Sequence, residues 1–489
     1  MCVRKSSNFT YALIILSIFA TGIFLRFYNL ENFATFGHDN SRDLILLYKL
    51  YTYKEWIYRG PVFSLVWAFL SPIYYYILFP FYFLMKFNPL APAIFSTFLN
   101  ILALVAMWWV SKKLFGIKAS IVSTLIYATS FLIVREGASG FNPSFMPVFS
   151  ILFFYALYQI IVGRPKHLIL LAFCTAMLIS FHPSGFFIPL VLIVMLFIYR
   201  SGLNLKKNYT ISSFLVFFTF GIFPYIFQEK KFNWWSIHKI IEYIHKPAGT
   251  GATFGTFNLI EMYFKILLNN LSTTFFATST GVFVVLLSVT LSIILFSNLI
   301  TRERKSATFV LTLFLSIYLA IFGSVVKFYK IGLYEGWFQT VYIPFVVLLF
   351  GATFFKAKNF LLKYGLILMI FSSVILNIIS YVSYEPEDDK FSSQKEMSEV
   401  IRKDSAGQAF SIIGKDAQPL YYILWYYESD AIMKDQYYSW IKWGNNKTYD
   451  LAYFIGNISN PLKSDNNTKY NRLISQSNGR VLYRVTYRR

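Results

Sequence analysis

Apolar stretches of about 20 residues recur along this chain from Tyr11 to about Tyr381. A helix of that length crosses roughly 30 Å of hydrocarbon, and a bilayer offers the backbone no partner outside the helix itself. Of the residues, 56% are hydrophobic and only 14% are charged, which excludes an ordinary soluble domain. The sequence therefore predicts a polytopic, multi-pass α-helical membrane protein.

The basic residues predict the orientation of these helices. The formal charge is +22, but the lysines and arginines form short clusters between apolar stretches, as cytoplasmic loops do. They do not interleave with aromatic residues, so we expect contact with membrane lipids and no binding of nucleic acid. With Arg4 and Lys5 in the cytoplasm, the later clusters stay on that side if there are about eleven crossings and if 62–85, which contains Pro72 and Pro80, is partly re-entrant.

The first apolar stretch predicts a retained helix. It ends at Arg26, Phe27 and Tyr28, a combination typical of the membrane interface. No small-residue cleavage site follows it, so we do not interpret it as a signal peptide.

The same orientation divides the chain into two predicted domains. Residues 1–383 form the transmembrane domain, with a first outer loop at 29–61 and a long outer loop at 228–278. Residues 384–489 have mixed charge and predict a small extracytoplasmic α/β domain. Its predicted strands are Ala409–Ile413, Leu420–Leu424, Asp450–Ile455 and Val481–Val485.

A charged motif, GHDNSRD, occupies positions 37–43 in the first outer loop. On a helix, Asp39, Arg42 and Asp43 share one face. A charge at the bilayer centre costs about 2.5–3.5 kcal/mol on insertion scales, so we expect a helix in the outer interface with its charges facing an aqueous cavity. These residues alone leave a second interpretation open, a solvated helix with a simple Asp39–Arg42 ion pair.

Other polar residues fall at predicted helix ends on the same face. A carboxylate that accepts a proton, an arginine that binds phosphate bidentately and lysines that add charge are what group transfer from a lipid phosphate requires. Taken singly, such residues are more often caps or interfacial anchors. The candidate cavity residues are His38, Asn40, Asp43, Arg135, Glu136, Asn142, His182, Glu229 and Glu335, and the candidate phosphate ligands are Arg42, Lys327 and Lys330.

Several common signatures are missing from the sequence. It contains no phosphate-binding GxxxxGK[ST] loop, which argues against ATP-driven transport. No histidines and cysteines have zinc spacing, so the cofactor requirement stays unknown: a divalent metal is compatible with the acids but no motif indicates one. The glycine-rich stretch 249–255 predicts a mobile lid over the cavity.

These motifs occur in an order that resembles the GT-C superfamily of membrane glycosyltransferases, specifically the bacterial group that includes protein O-mannosyltransferases and the aminoarabinose transferase of lipid A. The matching segments are His38–Asp43, Gly60-Pro61, Ser71–Tyr75, Phe141–Ser144, Phe181-His182, Phe223-Pro224 with Glu229, and Trp337–Pro344. Asn40 stands where many relatives have a glutamate, and Asn142 stands where some have an acid. The first of these departures weakens the case for a divalent metal.

The resemblance implies a GT-C-like fold and an inverting transfer of a sugar on the outer face. The donor would be a polyprenyl-phosphate sugar, and the acceptor a lipid, a glycan or a protein. Asp39 would be the catalytic aspartate of the first loop, and Arg42 would contact the donor phosphate. Two other classes stay open: a lipid or lipid-linked-sugar transporter (flippase), although no duplicated halves are visible, and a ligase resembling O-antigen polymerases.

Overall fold

The structure, a computed structural model, describes residues 2–63, 68–200, 206–245, 268–269, 271–278, 282, 343–354, 360–406, 408, 410–413, 417–428, 451–457, 468–477 and 480–487. The glycine-rich stretch 249–255, the late segment from Trp337 to Tyr342, and the predicted site residues Lys327, Lys330 and Glu335 lie outside these ranges.

Long apolar helices make up most of the described chain. Five of them are long and apolar enough to span a membrane: Phe9–Tyr28, Ala91–Phe115, Asn142–Ile161, Lys207–Lys231 and Lys363–Val382. A sixth span results if Ile117–Thr129 and Phe131–Gly137, which meet at a bend of 62°, cross together. The predicted polytopic helical architecture is therefore present.

The helices of the described ranges are numbered here in chain order. They are α1 (Cys2–Tyr28), α2 (Leu30–Phe33), α3 (His38–Thr52), α4 (Ile73–Leu84), α5 (Ala91–Phe115), α6 (Ile117–Thr129), α7 (Phe131–Gly137), α8 (Met146–Ile161), α9 (Leu168–Phe181), α10 (Ile188–Ile198), α11 (Lys207–Phe217), α12 (Phe223–Lys231), α13 (Trp235–His245), α14 (Ile343–Phe354), α15 (Phe360–Val382), α16 (Phe391–Ser405) and α17 (Ala417–Glu428). The strands are β1 (Val62–Phe63), β2 (Ala68–Phe69), β3 (Phe410–Ile413), β4 (Leu451–Asn457), β5 (Thr468–Ser477) and β6 (Arg480–Tyr487).

The segment 62–85 contains two short antiparallel strands, called the hairpin below, followed by a short helix. Strands β1 and β2 pair antiparallel, and the Gly60 amide donates to the Leu70 carbonyl at 3.2 Å. A Cβ at Gly60 would lie 2.3 Å from that carbonyl oxygen. The close approach of the two backbone segments at Gly60 and Leu70 therefore requires glycine. Helix α4 has 12 residues, about 18 Å, which is shorter than the hydrocarbon core. A re-entrant path for this segment stays a prediction.

Helix α1 ends at Tyr28, where the sequence predicts an end, and the position of this end at the membrane interface stays a prediction. Arg26 lies in the last turn of the helix. Its side chain is fully buried and donates to Asn100 at 2.8 Å, to the Tyr127 carbonyl at 3.1 Å and to the Ala128 carbonyl at 3.3 Å. These two carbonyls belong to the last turn of α6, where acceptors have no partner within the helix and the helix dipole is negative. Arg26 therefore caps α6 at the bend toward α7.

The segment after residue 384 contains helices α16 and α17 and a four-stranded sheet in the order β3-β4-β6-β5. The pair β3–β4 is parallel, and the others are antiparallel. The predicted strand Leu420–Leu424 is wrong because these residues lie inside α17. All five are buried, and a run that is apolar on every side has no period that separates a strand from a helix.

This C-terminal segment packs on residues 34–48, which include the start of α3. The Phe391 amide donates to the Ala34 carbonyl at 2.8 Å, and the Phe36 amide donates to the Asp389 carbonyl at 2.6 Å. In addition, the rings of Tyr48 and Trp425 meet edge to face at 4.7 Å. Helix α3 is thus held between α4, through the Tyr75–Asp43 hydrogen bond, and the C-terminal segment.

Candidate functional site

Three charged side chains cluster at the start of α3. The helix begins at His38, and Asp39 lies in its first turn, where free amides and the helix dipole favour negative charge. Arg42, one turn later, donates from Nη1 to Asp39 Oδ1 at 2.5 Å. The same guanidinium donates from Nε and Nη2 to Asp43 Oδ1 at 2.9 and 2.6 Å. One arginine therefore bridges two carboxylates.

The three side chains differ sharply in exposure, and this decides their chemistry. Arg42 and Asp43 are 1% and 4% exposed, whereas Asp39 is 39% exposed. A solvated surface ion pair is excluded, because its arginine would be open to water. The expectation that all three charges face a cavity is also wrong, since Asp39 is the member that an external molecule can reach.

Asp43 anchors the cluster to α4. Its Oδ1 accepts a hydrogen bond from the Tyr75 hydroxyl at 2.7 Å. Burial raises the pKa of Asp43 to about 6, while Arg42 and Tyr75 act in the opposite direction. Tyr75 was not among the predicted site residues, although it belongs to the segment Ser71–Tyr75 that carried the family resemblance.

Two neighbours of Asp39 connect α3 to distant parts of the chain. His38 Nδ1 lies 3.2 Å from Gln418 Oε1 on α17. Asn40 Nδ2 lies 3.4 Å from the carbonyl of Gly140, in the predicted second outer turn. The first turn of α3 is therefore the meeting point of three segments that are far apart in sequence.

Other predicted cavity residues have partners outside the Asp39 cluster, either in their own turn or on a neighbouring helix. Arg135 pairs with Glu136 at 2.7 Å, and the Asn142 amide donates to the Phe181 carbonyl. His182 Nδ1 lies 2.9 Å from the Ser184 hydroxyl, and burial lowers its pKa to about 3, so it is neutral at physiological pH. No hydrogen bond or ion pair of the described residues joins any of these four to Asp39.

Glu229 is a buried cap at the start of α13. Its Oε2 accepts from the backbone amides of Ser236 and Ile237 at 3.0 and 3.4 Å, in the first turn of α13. Its neighbour Gln228 accepts from the Gly60 amide at 3.1 Å. Together these two residues tie α12 and α13 to the hairpin that follows α3, which is a structural role consistent with their burial.

The described residues around Asp39 do not form a metal-binding site. Among the side chains that the structure describes, no three of the types His, Cys, Asp and Glu are grouped so as to hold a metal ion. Asp39 and Asp43 already share the Arg42 guanidinium, which takes the charge-compensating position between them. The cofactor requirement of the chain stays open.

No family model matches the sequence, and no curated protein matches it either. Solved structures match its fold. ArnT from Cupriavidus metallidurans bound to undecaprenyl phosphate superimposes with a TM-score of 0.63 at 10% identity, over 96% of this chain and 97% of that one. Its apo form gives 0.59 at 8% identity, over 99% and 98% of the two chains.

A more distant match is the oligosaccharyltransferase of Archaeoglobus fulgidus in complex with Zn and sulfate. Its TM-score is 0.50 at 11% identity, over 84% of this chain and 61% of that chain. At such identities the likeness establishes the fold alone. The two ArnT matches cover 96% and 99% of this chain, so most of the segment after 384 also has a counterpart in that fold.

Proposed function

From the GT-C fold that the chain shares with these structures, we propose that it is a membrane glycosyltransferase that moves a sugar from a polyprenyl-phosphate carrier to a lipid, glycan or protein acceptor. One observation carries the proposal. Within the described residues of this fold, a half-exposed carboxylate, Asp39, stands at the start of an outer helix and is oriented by a buried arginine. The undecaprenyl phosphate bound by ArnT from Cupriavidus metallidurans supports a lipid phosphate as donor carrier.

The proposed transfer is a single inverting displacement. Asp39 takes the proton of the acceptor hydroxyl while the oxygen of that hydroxyl attacks the anomeric carbon of the sugar. The new carbon–oxygen bond forms as the bond between the sugar and the phosphate breaks. The polyprenyl phosphate leaves with the negative charge. Arg42, held by Asp39 and Asp43, fixes the orientation of the base. Contact of Arg42, Lys327 and Lys330 with the phosphate stays a prediction, and for Arg42 it requires exchange of a carboxylate partner.

The cavity around Asp39 would be shared by three segments. His38 and Asn40 flank Asp39 on α3, Asp43 lies buried behind Arg42, and Gln418 brings α17 of the C-terminal segment to the same turn. We infer that residues 384–489 form a domain on the outer face that borders the acceptor side. Arg135, Glu136, His182 and the other predicted cavity residues then act by shaping the outer turns.

We further propose that this site faces the outside of the plasma membrane, with about eleven crossings. The amide of Gly140, whose carbonyl lies beside Asn40, donates to Ser96 in the second turn of α5 at 3.1 Å. The last turn of α5 carries Lys112 and Lys113. Helix α5 has 25 residues and is about 37 Å long, which is enough to cross the bilayer. In the proposed topology α3 and these lysines therefore lie on opposite sides of the bilayer. The lysines belong to the cytoplasmic side, because basic clusters favour the cytoplasm.

The orientation can be tested with single cysteines in a Cys2→Ser background, because Cys174 is buried. Glu55 and Lys113 are both exposed. We expect an impermeant maleimide to label Glu55→Cys in intact cells and to label Lys113→Cys only after permeabilisation. The reverse pattern would place Asp39 on the cytoplasmic side and contradict the proposed orientation.

The activity itself is tested with purified protein, a panel of polyprenyl-phosphate monosaccharides and a membrane extract that supplies lipid, glycan and protein acceptors, followed by mass spectrometry of the donor lipid. We expect at least one donor to lose its sugar with release of polyprenyl phosphate. If no donor is consumed, but the protein moves lipid between the leaflets of proteoliposomes, the transporter interpretation replaces the enzyme.

A further inference from the structure

Arg59 lies where the chain leaves α3 and enters the hairpin. Its guanidinium carbon is 3.6 Å from the centre of the Phe232 ring and 4.6 Å from the centre of the Phe69 ring. Contacts of this kind attract an arginine through the ring quadrupole and hold its planar group in one orientation. Phe69 belongs to β2 and Phe232 follows α12, so Arg59 is held by two separate elements.

The charge of Arg59 is not neutralised by a bound acid. In the part of the chain that the structure describes, Arg59 forms no ion pair, and its Nε is buried with no hydrogen-bond partner. Glu229 acts on it electrostatically, but the carboxylate of Glu229 is already bound by Gln228 and by the amides of α13. A buried donor of this kind calls for an acceptor.

The backbone on both sides of Arg59 is fixed. The Ile57 carbonyl accepts from the Tyr76 hydroxyl at 2.9 Å, and the Gly60 amide donates to Gln228 at 3.1 Å. Tyr76 is adjacent to Tyr75, which binds Asp43. The first turns of α4 therefore connect the segment that carries Arg59 with the cluster that carries Asp39.

The residues around Arg59 are of the types that collect in the lipid headgroup layer. Trp56, Trp234 and Trp235 are 66%, 46% and 43% exposed, and exposed tryptophans collect at this depth. The Lys231 ammonium lies 3.2 Å from the centre of the Tyr58 ring and adds a second cation nearby. Phosphate groups of membrane lipids lie in this layer.

We propose that Arg59 is a phosphate-binding residue that receives the phosphate of the polyprenyl carrier at the membrane interface. The assignment rests on the proposed function for the identity of the carrier, but the oxyanion chemistry does not depend on it. Arg59 presents a planar fork suited to a phosphate, whereas Arg42 is already bound to two carboxylates. A phospholipid headgroup offers the same chemistry, so the test separates the two sources.

The test compares purified wild type with Arg59→Gln and Arg59→Lys in detergent, with undecaprenyl phosphate as the probe and native mass spectrometry as the readout. Loss of a hydrogen bond to a charged group weakens binding by about 10- to 100-fold, which we expect for Arg59→Gln. Arg59→Lys keeps the charge without the fork, so we expect a smaller loss. Arg164→Gln is the matched control. In the part of the chain that the structure describes, the only hydrogen bond of the Arg164 side chain goes to the neutral Gln159 side chain at 2.8 Å.

Parallel titrations with phosphatidylglycerol and with inorganic phosphate separate the possible sources. A loss confined to undecaprenyl phosphate supports the carrier site. An equal loss for phosphatidylglycerol overturns the carrier role and makes Arg59 a phospholipid anchor. If Arg59→Gln and Arg59→Lys bind every probe as well as wild type does, the inference is wrong. Failure of wild type to bind undecaprenyl phosphate counts against the proposed function. In that case the phosphatidylglycerol titration shows whether Arg59 binds a lipid phosphate at all.

Discussion

Replacing Asp39 by asparagine is expected to abolish sugar transfer while the protein stays folded. Asparagine has the same shape and still accepts a hydrogen bond from Arg42, but it cannot take the acceptor's proton. General acid–base groups contribute about 10²- to 10⁴-fold to a rate, so we expect turnover to fall by at least that factor. The measurements are transfer by mass spectrometry, undecaprenyl phosphate binding and the thermal unfolding midpoint.

The matched control for this variant is Glu31→Gln. Glu31 lies on α2 in the same outer segment, is 48% exposed and pairs with Lys395 at 3.3 Å. An exposed pair of this kind contributes about 1 kcal/mol or less to the free energy of unfolding, so the control should keep the parent rate. Transfer by Asp39→Asn at near the parent rate would show that Asp39 is only the ion-pair partner of Arg42.

Replacing Arg42 by methionine is expected to destabilise the fold more than any other single change considered for this site. It leaves Asp43, which is 4% exposed, as a buried carboxylate without its cation. Removing one partner of a buried pair costs about 3–5 kcal/mol. The double variant Arg42→Met/Asp43→Leu removes both charges and should recover most of the lost stability, as the thermal unfolding midpoint in detergent would show.

The loss in Arg42→Met should depend on pH. In the folded wild type the pKa of Asp43 is about 6, above its ordinary value of 3.8, so the folded state holds the proton longer and stability falls as pH rises between these values. Without Arg42 the folded pKa rises further, and the fall continues to higher pH. We therefore expect the difference between variant and wild type to be largest above pH 6 and to shrink toward pH 4. A difference that does not change with pH would mean that Asp43 is not the destabilising charge.

The same variant separates a positioning role of Arg42 from a purely structural one. If Arg42 orients Asp39, Arg42→Met/Asp43→Leu should regain stability but not kcat, because Asp39 has lost its anchor. Recovery of both would make Arg42 a structural residue alone. A raised KM with unchanged kcat would instead favour the predicted contact between Arg42 and the donor phosphate.

The sequence by itself determined the membrane class and the local geometry of the site. Apolar runs of bilayer length leave helices as the available structure, and residues at i, i+3 and i+4 share a face wherever a helix forms. Both hold without knowledge of any distant contact. For this reason the helix at GHDNSRD and the neighbourhood of Asp39, Arg42 and Asp43 were predictable.

Tertiary structure decided which of these charges is accessible. Asp43 is buried because Tyr75, 32 residues away, covers it, and His38 faces Gln418, 380 residues away. The same applies to Arg26, three of whose acceptors lie on α5 and α6. It also applies to Arg59, which stacks on one ring from β2 and on another that follows α12. Local periodicity fixes the direction in which a side chain points, but burial and partner depend on which distant segment packs there, and no pattern of neighbouring residues encodes that.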